Sequence, residues 1–320
     1  MNYRFLNGGY MENLVEKLLN SESPSIRYRM QHDYLGKDPD SSLKQEILES
    51  KPVIKIFKKM HPEGYWLHRG YGEGIDYAMS ASTHFILSYL AELGLGRWDD
   101  RLDRAVKRYW SLKEPGKYFS PPDYLTGQSC LYAQNIRTFI LLGYKDDVHM
   151  KARINTLLGD VRHDNGYLCI RKSFKETTKS CLRGTMKALM AYAELPEYWE
   201  HESCKRTVDY FLSRKVHYKK DNSGEKIRGG LKTVFPFVIE ASLLEGLYAL
   251  SKMGYGKYPA MKDVWSQLMF RQEDSGLFRL DWHPPAPFIP GNKGEGNEWV
   301  TLYALLALKH SGKELVRVNV

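Results

Sequence analysis

Residues 126–144 read TGQSCLYAQNIRTFILLGY. A polar opening leads into a run of small and apolar residues with helical spacing, and the run stops at Gly143. That pattern spells a helix buried on most sides and closed by a left-handed glycine. Working outward, the same plan returns at residues 74–95 (GIDYAMSASTHFILSYLAELGL), 180–196 (SCLRGTMKALMAYAELP), 235–255 (FPFVIEASLLEGLYALSKMGY) and 297–312 (NEWVTLYALLALKHSG). A shorter first member occupies 23–36 (SPSIRYRMQHDYLG), where Pro24 suits a first helical turn. Gly36, Gly94, Gly143 and Gly254 each stand just past the last apolar residue, where a left-handed cap is expected.

Between these inner helices lie more polar ones, at residues 42–60, 99–112, 146–161, 198–216 and 259–271, with 11–19 as one more. Their apolar residues fall on one stripe, so they belong outside. The inner stops Gly94, Gly143, Leu195 and Gly254 recur roughly every 50–60 residues, the scale of one helix pair plus a loop. Strand signals are scarce. The expected fold is therefore all-α: one domain over residues 1–320, an α/α toroid of about six inner/outer helix pairs, with 1–22 as an extension or outer helix. An open superhelix is the alternative.

The loops are unequal. Inner-to-outer links are short, such as residues 96–98. Outer-to-inner links, at 61–74, 114–125, 162–179, 217–234 and 273–296, are long and rich in Gly, Pro and aromatics. They should all emerge at the inner-helix N-termini, and loops gathered on a rigid scaffold usually carry function.

Composition narrows the function classes. Of 320 residues, 42% are apolar, 27% charged and 13% aromatic, which excludes a disordered or collagen-like chain. The net charge of +9 comes from 47 basic and 38 acidic residues spread along the chain, so no nucleic-acid partner is expected. An anionic small molecule steered to a basic mouth fits better. No apolar run reaches the roughly 18 residues of a membrane span, and no signal peptide is visible. Four cysteines without a CxxC pair point to free thiols and a cytoplasmic setting. No nucleotide-cofactor motif occurs.

Three loops share a local plan: HPEGYW at 61–66, RHDNGY at 162–167 and RQEDSGLF at 271–278. An acidic or amide residue precedes Gly, and an aromatic follows one or two places on. This resembles the QxxDGxW-like repeat of the prenyltransferase and squalene/terpene-cyclase α/α-toroid superfamily, over about residues 24–312. The resemblance implies an enzyme of transferase or cyclase type, acting on an isoprenoid or other apolar chain with an anionic head in a central cavity. The family's chemistry motifs are largely missing. There is no DxDD, and the zinc-binding pattern of prenyltransferase β-subunits is not present as such. Asp99-Asp100-Arg101-Leu102-Asp103 matches DDxxD, but it opens an outer helix, where acids simply answer the dipole.

The mouth offers these candidates. Asp76 and Glu298, near inner-helix starts, are candidate general acids, or first-turn acids that stabilise their helices. Arg183 and Lys232 are candidate holders of the anion. Tyr77, Phe235, Trp282 and Trp299 are candidate cavity walls, or packing that plugs the mouth. His84 is a candidate ligand contact or a satisfied core polar. Counting back thirteen from Gly143 and from Glu194 places Cys130 and Cys181 at equivalent positions, where a histidine would complete a zinc site; two small buried residues are the plainer reading. A hydrolase or lyase for acidic sugars and a non-catalytic binding scaffold are the competing functions.

Overall fold

The helical spacing is realised in thirteen α-helices among the described residues of a computed structural model. Those residues are 8–67, 81–111, 129–168, 179–219, 223–227, 230–238, 240–285, 287–288 and 290–312. Contacts divide the chain into two compact units. One comprises Met1–Leu43, Val208–His283 and Ile289–Val320; the other comprises Lys44–Thr207 and Pro284–Phe288.

The second unit is built around α5 (Thr83–Glu92), α7 (Ser129–Leu141) and α9 (Leu182–Ala193). α7 packs against both α5 and α9. All of α5 is buried, as is α9 from Gly184 onward. α6 (Asp100–Ser111) covers α5 and α8 (Val148–Gly159) covers α7. α6 buries only Leu102, Ala105, Val106 and Tyr109, and α8 only Met150, Arg153, Ile154 and Leu157. These are single i, i+3, i+4, i+7 stripes, so the inner and outer characters read from the sequence hold here. Each fully buried Leu, Ile or Phe in these faces contributes about 1.5–3 kcal/mol.

In the other unit α11 (Leu243–Lys252) packs against α13 (Glu298–Ser311). α13 also meets α1 (Gly8–Leu19) and α2 (Pro24–Arg29), and α12 (Lys262–Met269) covers α11. α2 begins with Pro24 in its first turn, as its sequence predicts, and continues into a π-helical turn, Met30–Tyr34. Two short antiparallel strands, β1 (Phe278–Arg279) and β2 (Gly296–Asn297), precede α13.

Gly36, Gly94, Gly143 and Gly254 all take the left-handed conformation expected of them. After three of these helices the following N–H reaches back to close the turn: Leu95 to Leu90 O, Tyr144 to Phe139 O and Tyr255 to Leu250 O.

Two helix boundaries differ from expectation. Residues 42–60 form two helices, α3 (Ser41–Glu49) and α4 (Lys51–Phe57), because Pro52 lacks an N–H and its ring cannot follow an unbroken turn. The helix expected from Phe235 starts only at Leu243. Ser242 caps it, accepting from the Glu245 N–H at 3.2 Å while the Glu245 carboxylate accepts the Ser242 N–H at 2.9 Å. α10 (Glu202–Leu212) completes the set.

Candidate functional site

The three similar loops make one turn. His61 N–H bonds to Tyr65 O, Arg162 N–H to Gly166 O, and Glu273 N–H to Leu277 O, at 2.8–3.0 Å. The fourth residue of each turn has positive φ: Gly64 at 88°, Asn165 at 68° and Gly276 at 84°. Asn165 thus fills the glycine place, as its short amide side chain allows. The irregular gap between Gly and aromatic in the sequence disappears on this register: Trp66, Tyr167 and Phe278 all stand two residues after the left-handed one.

Each of these aromatics is tied to the start of a buried helix by a threonine. Within the second unit, Trp66 N–H donates to Thr83 Oγ1 at 2.9 Å and Tyr167 N–H to Thr185 Oγ1 at 3.0 Å. Within the other, Phe278 N–H donates to Thr301 Oγ1 at 2.9 Å. Two of the side chains also reach back to the preceding helix. Trp66 Nε1 donates to Ile56 O and the Tyr167 hydroxyl to Leu157 O. So these aromatics knot the junction rather than line an opening. In each unit taken separately, the described ends of these loops are hydrogen-bonded at the N-terminal end of a buried helix.

At the start of α13, Asn297 caps the helix, accepting from Val300 N–H at 3.1 Å. Glu298 follows in the first turn and accepts a 2.7 Å hydrogen bond from the Ser21 hydroxyl. Trp299, 6% exposed, stacks on Phe235 with ring centroids 4.5 Å apart and planes 9° from parallel. Phe237 and Tyr303 extend the cluster, and Arg29 donates to the Tyr303 hydroxyl at 3.1 Å. Lys232 is exposed; its carbonyl accepts the first N–H of α11, from Leu243, at 3.1 Å. Trp282 is half-buried and donates its N–H to Thr233 O.

Beside them Asp281 accepts from Arg271 at 2.5 Å, from Thr233 N–H at 3.1 Å and from Arg279 at 3.3 Å. Partial burial works against its charge, but these donors outweigh it and hold the carboxyl below its usual range.

In the second unit His84 is 1% exposed. Its Nδ1 lies 3.4 Å from the Tyr109 hydroxyl, which accepts from Asn135 at 2.9 Å. Burial pushes its pKa down to about 3, so it is a neutral core imidazole. Arg183 is half-buried in the first turn of α9, whose N-cap, Cys181, makes no side-chain capping bond. Gly184 lets α9 approach α7 closely: a Cβ there would stand 2.0 Å from Ser129 Oγ.

Cys181 is the N-cap of α9, and Cys130 lies in the first turn of α7. Among the described residues no group of three or more His, Cys, Asp or Glu is arranged to hold a metal ion. Asp76 and Tyr77 lie outside the described residues.

The DDxxD run is a helix start. Asp99 accepts from the Arg101 and Leu102 N–H groups, and Asp103 from the Tyr144 hydroxyl at 2.7 Å. Three polar assemblies were not legible in the sequence. Arg137 is buried beside Glu92 and 3.8 Å from Glu194. Arg29 bonds Asp33 as well as Tyr303. His217 is buried against Asp263. Each joins residues distant in sequence or on elements with no motif. Among the described residues no helix is long and apolar enough to cross a membrane. No family model matches the chain, and no curated protein matches it.

Proposed function

We propose that the chain is a toroid-type helical-repeat protein, similar in plan to prenyltransferases and terpene cyclases, which binds an apolar molecule with an anionic head at the N-terminal ends of its buried helices. The observation that carries this reading is the recurring junction, by which long loops return to helix N-termini in each unit taken separately. Helix N-termini favour anions, and α9 presents one with Arg183 in its first turn. In this reading Arg183 holds the anionic group, with Lys232 a second, exposed cation.

Titration with farnesyl diphosphate, farnesol and inorganic pyrophosphate, followed by calorimetry and tryptophan fluorescence, tests it. The prenyl diphosphate should bind best, and Arg183→Ala should weaken it roughly tenfold or more, the value of a charge-assisted hydrogen bond. No binding by any of the three would sink the reading. A second reading, a non-catalytic binding scaffold, is favoured by the Ser21 hydroxyl on Glu298 and by Phe235 and Trp299 packing on each other. A diphosphate that binds but is never turned over would favour it.

A further inference from the structure

His217, buried against Asp263, takes no part in the candidate anion site. It is 2% exposed. Its Nε2 lies 2.8 Å from Asp263 Oδ2, on the first turn of α12. With Nε2 as the donor to that carboxylate, Nδ1 carries the lone pair; it is buried, and among the described residues nothing hydrogen-bonds it.

The same carboxylate oxygen also accepts from the Tyr218 hydroxyl at 2.9 Å and lies 3.5 Å from Lys226 Nζ. Residues 217–219 pair with 225–227: Ile227 N–H donates to His217 O at 2.7 Å, Lys219 N–H to Glu225 O at 2.8 Å, and Tyr218 bridges Lys226. His217 and Tyr218 thus fasten this pairing to α12 through one carboxylate.

The backbone before His217 is costly to hold. Lys215 and Val216 have φ of 46° and 68°, and His217 N–H turns back to Lys215 O. A β-branched residue at positive φ is a true outlier, kept only where its surroundings fix it. Here buried Val216, whose N–H bonds to Phe211 O at 2.7 Å, and the buried ring with its aspartate hold it in place.

We propose that His217 is a pH-sensitive clasp: the pairing of 217–219 with 225–227 stays seated on α12 while His217 is neutral, and comes away from α12 when His217 takes up a proton. Protonation would place an N–H and a charge at Nδ1, inside the protein, where no acceptor among the described residues meets them. The strained turn at 215–216 then favours release over accommodation.

The charged and titratable groups around the ring are Asp263 on α12, Tyr218 and Lys226 in the pairing, Arg271 just after α12 and Lys215 beside Tyr218. Burial lowers the affinity of His217 for a proton, and Lys226 and Arg271 add to that; Asp263 opposes them but does not prevail. The sign follows. A folded-state pKa below that of the unfolded chain gives stability that is complete above about pH 6.5 and declines as pH falls below it. A Cβ added at Gly230 would stand 3.6 Å from His217 Cβ, so the clasp lies just before the segment carrying Lys232 and Phe235.

The test is hydrogen exchange of the whole protein, corrected for intrinsic rates, between about pH 7.5 and about pH 5. Once off α12 an isolated two-stranded pairing is only marginally stable and opens, so the Ile227 and Lys219 amides should lose protection roughly tenfold or more at the lower pH. His217→Gln, which keeps a donor for Asp263 but cannot titrate, should show no such loss. Equal loss in both proteins, or none in the unaltered one, overturns the proposal. Should His217→Gln not fold, the His217 ring resonance in the unaltered protein decides. A midpoint below the ordinary histidine value, with Ile227 shifting in step, supports the clasp; a midpoint at or above it, or no coupling, refutes it.

Discussion

Arg137 shows what a single residue does here. It sits within α7, 1% exposed, with Glu92 from the end of α5 bonded to it and Glu194 from the C-cap of α9 at 3.8 Å. Neither acid has much water to turn to, since Glu92 is 1% and Glu194 8% exposed in its side chain. Removing the guanidinium while leaving both acids should therefore cost more than removing an ordinary core residue. Arg137→Met should lower unfolding stability by about 3–5 kcal/mol, measured by urea denaturation. A loss below about 1 kcal/mol would show that the acids find other partners. In the sequence Arg137 reads only as one polar residue in an apolar helix, because its partner lies 45 positions away. Charge alone says nothing about which helix it faces.

At the scale of the element, the loop–helix junction is the unit that recurs. Thr301 accepts the Phe278 N–H and donates its own hydroxyl proton to Asn297 O at 2.7 Å. Thr185 does the same between Tyr167 and Cys181. Valine preserves the shape but leaves a buried N–H unpaired. Thr301→Val and Thr185→Val should each cost about 1–3 kcal/mol by thermal or urea unfolding. Thr156→Val, within α8, where the hydroxyl only bonds back to Ala152 O of its own helix, should be nearly neutral. Equal losses at all three positions would deny the junction its role.

This junction was half legible. The Gly-then-aromatic pattern stood out, but its register did not, because Asn165 takes the left-handed place and Gly166 is merely next to it. The threonines gave no signal, since they lie 17 to 23 residues downstream across loops of unequal length. The helix break at Pro52 was legible in principle and was overridden by apolar spacing that runs through it.

At the scale of the whole molecule, the acid side of the stability curve should have two causes at different pH. His84 is fully buried, with its pKa pushed down to about 3 by burial. Its stabilising share is complete above about pH 6.5, the unfolded value, and is lost progressively as pH falls toward the folded value. Asp33, Asp263 and Asp281 act lower. Burial opposes their charge, but Arg29 and His32 at Asp33, Tyr218 and His217 at Asp263, and Arg271 at Asp281 hold each pKa down. Their share persists to about pH 4 and falls below it. Urea midpoints measured against pH should therefore begin to drop near pH 6.5, before any carboxylate titrates in the unfolded chain. His84→Gln should lessen that first decline, leaving the share that His217 contributes, whatever it does to the plateau. An unchanged slope would show that His84 reaches water more easily than its burial implies.

By itself the sequence determined the helical class, the inner and outer characters of most helices, and the glycines that end them. These depend on local spacing and on backbone freedom, which are written in consecutive residues. Only the tertiary structure decided that Glu298 meets Ser21, that Trp299 stacks on Phe235, that Gly184 faces Ser129, and that His217 is buried against Asp263. Those pairings depend on which faces meet and how far each loop carries the chain before it returns. A one-residue shift turns a helical side chain by about 100°, so no count along the sequence could have chosen between neighbours.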